Sequence, residues 1–390
     1  MTEIAEFEPY AFEGGLTAST FKDFTVWCAR QSVSDIHIQG GNSLVLSHHG
    51  RLVRASKFVL ADDVLSKMLD DVFTPEIRAL VRGGHPVDRA LQLDGDVDKR
   101  YGLERGERLR LRCNFVQATA GRMDTTTCVT IRIIPTDIPD LALMGIELDL
   151  FDAFLPPDGL GLICGITGSG KSTLLAAIYR YCQIHFPNRK VTTIEDPIEF
   201  VLGRPTDLLQ PTQLQINRDV GSYGEGIRAD LRRAPSIIGI GEMRDLETLL
   251  ASLLAAQVGH FNISTLHSGS PGEAISRCLT MVPAELRDAT AQSLLGVLRY
   301  IVVQALLKTT DGKRQAVREY IILDDPLREE LQAVHYSQWE QRINGIIRSE
   351  NRRIADQAWR LYLAGRVDRA ELLVAMTAFQ RNQFEAGNTP

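Results

Sequence analysis

The run Gly165-Ile166-Thr167-Gly168-Ser169-Gly170-Lys171-Ser172-Thr173 fits G-x-x-x-x-G-K-[ST]. Glycines at these positions let the backbone curl until successive N–H groups converge on one anion. Lys171 then sets an ammonium against β- and γ-phosphate oxygens, and the Ser172 hydroxyl can ligate Mg²⁺. An apolar run, Leu160 to Ile166, precedes the loop and a helix-like run, Ser172 to Cys182, follows it. The positive end of that helix adds to the same cradle. The chain is therefore expected to bind ATP with Mg²⁺ through Gly165, Thr167, Gly168, Ser169, Gly170, Lys171, Ser172 and Thr173.

Acidic residues follow at other strand ends. In Thr193-Ile194-Glu195-Asp196-Pro197-Ile198-Glu199 the carboxylate of Glu195 falls at the carboxyl edge of a sheet, where open α/β folds bind ligands. There it can orient, or take a proton from, the water that attacks a γ-phosphate; Glu199 reads as solvated. The run Ile237-Ile238-Gly239-Ile240-Gly241-Glu242 is a buried strand ending in an acid, the Walker B arrangement that serves Mg²⁺. Gly241 stands where many phosphate-loop enzymes carry Asp, which leaves Glu242 to do the work. Ser264-Thr265-Leu266-His267-Ser268 closes the next strand, and an imidazole there can sense the γ-phosphate. Leu109-Arg110-Leu111-Arg112 and Ile131-Arg132-Ile133 alternate as an exposed strand face does. The alternative is that a guanidinium reaches a neighbouring subunit's nucleotide and offsets charge developing in phosphoryl transfer.

The elements that must position these groups fall into two blocks. Residues 16 to 135 alternate a helix, Thr20 to Gln31, with strands at Asp35 to Gln39, Ser43 to Ser47, Arg51 to Arg54, Arg108 to Gln117 and Cys128 to Ile134. This predicts an α+β domain over 1–134. The two prolines of Pro135 to Asp140 forbid a continuous helix and mark a linker, taken as 135–147. From 148 to 325, strand and helix alternate: Leu160 to Ile166, Ser172 to Cys182, Lys190 to Ile194, Ser236 to Ile240, Leu246 to Gln257, Phe261 to Leu266. That order predicts a mostly parallel sheet with helices on both faces. Residues 326–390 read as a charged helical appendage with turns at Gly345 and Gly365.

With 390 residues the chain can hold two or three domains, and 44% hydrophobic with 24% charged residues is a globular balance. A formal net charge of −6 argues against a protein built to grip a nucleic-acid backbone, so direct nucleic-acid binding is not expected. Cys28, Cys113, Cys128, Cys164, Cys182 and Cys278 are scattered without a C-x-x-C pair, which predicts reduced thiols rather than disulfides or a zinc site. Met1 to Gly14 is acidic and lacks the basic-then-apolar order of a secretion signal, and the longest apolar stretch, Leu249 to Leu266, is interrupted by Gln257, His260 and Asn262. A cytoplasmic location with no direct membrane span is expected, with any membrane association through a partner.

Together GITGSGKST, TIEDPIEF, IIGIGEMRDLET and STLHS resemble the Walker A, Asp box, Walker B and His box of the type II/IV secretion ATPases, the group that includes the pilus retraction motors. The resemblance covers Leu160 to Arg277, and Ser34-Asp35-Ile36-His37, Arg110 to Asn114 and Ile131 to Pro135 extend it into the first block. Length, the missing four-cysteine module of the extension ATPases and the diverged tail make the chain most similar to the DotB/TraJ branch of type IVB (Dot/Icm) secretion and conjugative transfer. The resemblance implies an α/β fold: a RecA-like P-loop domain, preceded by a PAS-like α+β domain and followed by a helical tail. It further implies a homohexameric ring with nucleotide between the two domains of each subunit, recruited peripherally to the inner membrane by secretion-complex components and acting on exported protein or protein–DNA substrate. By that analogy Lys171 and Ser172 bind phosphate and Mg²⁺, and Glu242 serves Mg²⁺. Glu195 polarises water, and His267 couples the γ-phosphate to domain motion. Arg112 and Arg132 complete the site, and Arg110 stands near them.

The absence of a stretch resembling A-I-R-N-L-I-R-E near the C-terminal end disfavours pilus retraction, which remains the second reading. A RecA-like nucleic-acid translocase would show salt-sensitive stimulation of ATP turnover by DNA or RNA. A nucleotide-gated scaffold without turnover is disfavoured by the presence of both Glu195 and Glu242.

Overall fold

The computed structural model describes residues 7–31, 33–48, 51–120, 123–134, 137–204 and 206–386. Pro135 and Thr136 of the expected linker, and Met1 to Glu6 of the acidic N-terminal stretch, lie outside them. The chain divides after Asp137 into two units, Met1–Asp137 and Ile138–Pro390.

In the first unit α1 (Ala18–Arg30) is followed by β1 (Val33–Gln39), β2 (Val45–His48) and β3 (Arg51–Arg54), then α2 (Asp62–Val72), α3 (Pro75–Arg82), β4 (Val87–Asp94), β5 (Arg108–Ala120) and β6 (Met123–Ile134). The strands form one antiparallel sheet in the order β3-β2-β1-β6-β5-β4. Thr17 and Thr20 close a capping box on α1, so two backbone N–H groups at its start are satisfied locally. Phe21 and Phe24 of α1, Leu65 and Met68 of α2, and Ile77 and Val81 of α3 cover the sheet face that carries Ile36, Ile38, Leu111, Phe115 and Ile131. Alternation along β5 and β6 puts Arg112 directly opposite Arg132 on the other face. Arg110, two residues before Arg112, is nonetheless buried, contrary to the exposed face that the alternation implies.

The second unit runs α4 (Leu148–Ala153), β7 (Gly159–Cys164), α5 (Lys171–His185), β8 (Val191–Glu195), β9 (Thr212–Gln215), α6 (Tyr223–Asp230), β10 (Ile237–Ile240), α7 (Leu246–Gln257), β11 (Phe261–Leu266), α8 (Pro271–Thr280) and α9 (Arg287–Val297). It continues with β12 (Leu298–Lys308), β13 (Arg314–Ile322), α10 (Asp325–Gln332), α11 (Trp339–Ser349), α12 (Ile354–Leu363), α13 (Arg369–Val374) and α14 (Ala378–Glu385). The sheet order is β13-β12-β7-β11-β10-β8-β9, parallel except for the β12–β13 pair. Every residue of β7, β10 and β11 is buried, as strands covered on both faces must be. On one side Leu160, Leu162 and Cys164 of β7 meet α7, α8, α9 and α11; on the other Ile163 meets Leu174 and Ile178 of α5.

The C-terminal helices share this core. Trp339, Ile343 and Ile347 of α11 are fully buried in the same cluster as Leu160 and Leu162, and Ala355, Ala358 and Leu372 pack on Leu307 and Val317 of β12 and β13. Gly345 sits inside α11 rather than at a turn. Burial of its neighbours Ile343 and Ile347 outweighs the ~1 kcal/mol that glycine costs a helix interior. Gly365 does follow the end of α12, with φ 67°.

Candidate nucleotide site

Parallel register brings four strand ends to one edge. Cys164 of β7 pairs with Leu266 of β11, Ser264 with Ile240 of β10, and Ile240 with Ile194 of β8. The residues that follow are therefore neighbours: Gly165, His267, Gly241 with Glu242, and Glu195, which is the last residue of β8. Sequence separation of 30 residues between Gly165 and Glu195, and 102 between Gly165 and His267, is removed by the sheet alone.

The loop from Gly165 to Gly170 takes conformations that only glycine adopts freely, with φ 139° at Gly165, 80° at Gly168 and 84° at Gly170. A Cβ on Gly165 would lie 2.5 Å from the Gln304 carbonyl oxygen and 2.6 Å from Ser169 Oγ, whereas one on Gly168 would meet nothing within 4 Å. The closed inner wall and open outer rim form a cradle of backbone. Lys171 Nζ donates to the carbonyls of Gly165 (2.8 Å) and Ile166 (2.9 Å), so the ammonium lies over the loop. Burial lowers its pKa, and the charges of Glu242 and Glu199 act the other way. Ser172 and Thr173, on the first turn of α5, are half-buried beside it, while Thr167 is exposed on the rim.

His267 links the loop to the Walker B acid. Its Nδ1 is 3.2 Å from the Gly165 carbonyl oxygen and its Nε2 3.6 Å from Glu242 Oε1. A Cβ on Gly241 would be a tight fit, 3.1 Å from the Tyr223 hydroxyl and 3.2 Å from the Glu195 backbone. The close approach of β10 and β8 thus leaves little room at the position where the usual acid pair carries Asp. Arg244 reaches Asp196 at 3.3 Å and lies over the Tyr223 ring, tying the loops that follow β10 and β8.

Glu195 is the most constrained acid of the group. Burial pushes its pKa up, while hydrogen bonds from Thr193 and Gln213 pull it down. Thr193 Oγ1 donates at 2.6 Å and Gln213 Nε2 at 3.0 Å, both to Oε1, and the Glu199 backbone N–H also donates to the carboxylate. Gln213 also donates to the Phe200 carbonyl at 2.7 Å and accepts from the Leu202 amide at 2.9 Å, which fixes its own amide. Glu199 stays half-buried nearby. Sequence reasoning passes over Gln213; the available signal is the alternation Thr212-Gln213-Leu214-Gln215 in an edge strand, meaningful only once β9 is known to lie beside β8.

Arg112 and Arg132 lie in the first unit, held by its own acids: Arg112 Nε is 3.6 Å from Asp88 and Arg132 Nε 2.9 Å from Asp35.

The residues present fit a nucleotide. Besides the cradle, the Ser169 hydroxyl is buried without a hydrogen-bond partner among the described residues. Were Mg²⁺ to bind with the nucleotide, the Ser172 hydroxyl and the Glu242 carboxylate would be its protein donors. Among the described residues no group of three His, Cys, Asp or Glu side chains could hold a metal ion, so phosphate oxygens and water would have to complete the shell.

A profile of the type II/IV secretion system proteins matches residues 87–382, more than half of the chain. The chain belongs to the type II/IV secretion ATPase family. This secretion ATPase is 30% identical over 319 residues to the type IV pilus retraction ATPase PilT of Pseudomonas aeruginosa, covering 81% of this chain and 87% of that protein. Among solved structures, the ATPase DotB of Legionella pneumophila superposes with a TM-score of 0.81 at 29% identity, covering 95% of this chain and 96% of that one. The retraction motor PilT with bound ADP shares the fold, with a TM-score of 0.76 at 24% identity and coverage of 94% and 99%. The family match begins at Val87, the first residue of β4, so β5 and β6 with Arg112 and Arg132 fall inside it. No helix among the described residues is long and apolar enough to cross a membrane.

Proposed function

We propose that this secretion ATPase hydrolyses ATP to drive export or conjugative transfer through a type IVB-like apparatus, as a homohexamer recruited to inner-membrane components. The observation that carries the hydrolytic reading is the placement of Glu195, with Oε1 held by Thr193 and Gln213, at the same sheet edge as Lys171, Glu242 and His267. The loop amides and Lys171 hold the β- and γ-phosphates. Ser172 and Glu242 would hold Mg²⁺, which would supply charge neutralisation on the phosphates. The Glu195 carboxylate orients a water in line with the γ-phosphorus and takes its proton as the oxygen–phosphorus bond forms. The bond to the β–γ bridging oxygen then breaks, and ADP carries away the electron pair. His267, in contact with both the Gly165 carbonyl and Glu242, senses loss of the γ-phosphate. Arg112 and Arg132 are assigned to a neighbouring subunit's nucleotide, where each exchanges its carboxylate partner for phosphate oxygens.

The 29% identity to DotB across nearly the full length of both chains supports the type IVB reading. Pilus retraction is the second reading, favoured by the 30% identity to PilT. Phosphate release measured with oligomeric state, on wild type, Glu195→Gln and Lys171→Ala, tests the first step. Turnover confined to a ring of about six subunits and lost in both variants is expected; a monomer that turns over only with DNA or RNA would overturn it in favour of a translocase. Deletion in the host then separates loss of export from loss of twitching.

A further inference from the structure

Beneath the phosphate loop lies a buried polar chain that the proposed chemistry does not use. Gln304 of β12, only 2% exposed, donates from Nε2 to the Ser169 carbonyl at 2.8 Å. Its Oε1 accepts from Arg318 Nε at 3.0 Å; Arg318 stands opposite it on β13 and is 1% exposed. The guanidinium continues to the carbonyls of Gly145 (3.2 Å) and Met144 (3.3 Å), in the segment by which the chain enters the second unit. Gln357 of α12 braces the same place: its Oε1 accepts from the Arg318 amide at 2.9 Å, and its Nε2 donates to the Arg318 carbonyl at 2.6 Å and to Glu147 at 2.7 Å.

Burying a guanidinium among carbonyl oxygens is costly, and an apolar side chain would fill the volume at less expense. What an apolar residue lacks is a donor fork that fixes several oxygens at once. The peptide between Ser169 and Gly170 is planar and trans, so holding its carbonyl on Gln304 points the Gly170 N–H the opposite way. Gln304 also closes the loop from below: a Cβ on Gly170 would lie 2.9 Å from its Nε2.

Resting on the nucleotide reading of this loop, we propose that Gln304 and Arg318 are positioning residues for phosphate binding. Gln304 presets the 169–170 peptide for the anion, and Arg318 couples that setting to the backbone at Met144 and Gly145. Binding of phosphate therefore changes the protection of the 141–147 segment, although none of those residues belongs to the loop.

The test uses the full chain with ADP as probe. Calorimetry gives the ADP affinity of wild type, Lys171→Ala, Gln304→Leu, Arg318→Met and the double variant; hydrogen exchange reads amides 141–147 with and without ADP. Gln304→Leu is expected to weaken ADP about tenfold and Arg318→Met several-fold, with the double variant no weaker than Gln304→Leu alone. ADP should slow exchange at 141–147 in wild type and not in Gln304→Leu. If Arg318→Met does not fold, the exchange comparison in Gln304→Leu decides alone. Additive losses, or wild-type affinity and exchange in Gln304→Leu while Lys171→Ala is impaired, would overturn this inference and leave the nucleotide site standing. No ADP binding by wild type would overturn both.

Discussion

Replacing Gln213 by leucine keeps a side chain of similar volume in β9 but removes the N–H donor 3.0 Å from Glu195 Oε1. Burial already drives that carboxyl toward its neutral form, and Thr193 and Gln213 are the side chains that oppose it. A hydrogen bond to an ionised acceptor contributes about 1.5–3 kcal/mol, and each 1.36 kcal/mol is a factor of ten in an ionisation equilibrium. Losing one donor thus tips Glu195 about ten- to a hundredfold toward the protonated acid. If ionised Glu195 takes the proton from water, kcat on the acid limb falls by up to that factor and recovers as pH rises, so the acid limb of the kcat profile moves to higher pH. Phosphate release measured from acid to mildly alkaline pH reads this directly, with ADP affinity expected to hold because the loop and Lys171 are untouched. Thr193→Val, which deletes the 2.6 Å donor, should move the limb the same way. Gln213→Leu also frees the Phe200 carbonyl and the Leu202 amide, but a loss caused by loop disorder would be independent of pH. An acid limb that stays in place in both variants refutes the reasoning, whatever happens to the maximal rate.

Two further outcomes concern stability. Burial raises Glu319 of β13 from 4.5 to about 7, with the Ile354 amide and Arg353 opposing and Asp356 adding to the rise. The folded chain therefore holds a proton that the unfolded chain releases. This group's contribution is fully present below about 4.5 and is lost by about 7, by about 3 kcal/mol. Glu319→Gln should flatten the fall in melting temperature between pH 5 and pH 8, and an unchanged slope would rule the group out. Trp339→Ala should destabilise the second unit by about 3–5 kcal/mol in a denaturant titration, since the ring is fully buried and its Nε1 donates to the Leu331 carbonyl at 2.7 Å; a surface appendage would give almost no change.

The sequence by itself determined whatever depends on short runs of residues. Glycines with a lysine fix a phosphate loop because the positive φ values and the ammonium are local properties of Gly165 to Lys171. Unbroken apolar runs such as Ile237 to Ile240 and Phe261 to Leu266 announce strands covered on both faces, and their terminal acids and histidine announce an edge. The helix Leu246–Gln257 and the strand Phe261–Leu266 could be read to the residue for the same reason. Only the tertiary structure decided which distant residues hold those groups. Gln213 braces Glu195 because β9 lies parallel to β8, and Gln304 meets Ser169 because β12 adds beside β7 after a chain excursion of 135 residues. Neither pairing can be read from its own segment: the alternation around Gln213 marks a strand but not its neighbour. The charges of the C-terminal run, such as Arg342 and Arg348, are exposed as the sequence suggests, but Gly345 misled for the converse reason: local propensity favours a break there. Burial of Trp339, Ile343 and Ile347 against the sheet's helices outweighs that preference, and hydrophobic burial depends on what the rest of the chain brings alongside.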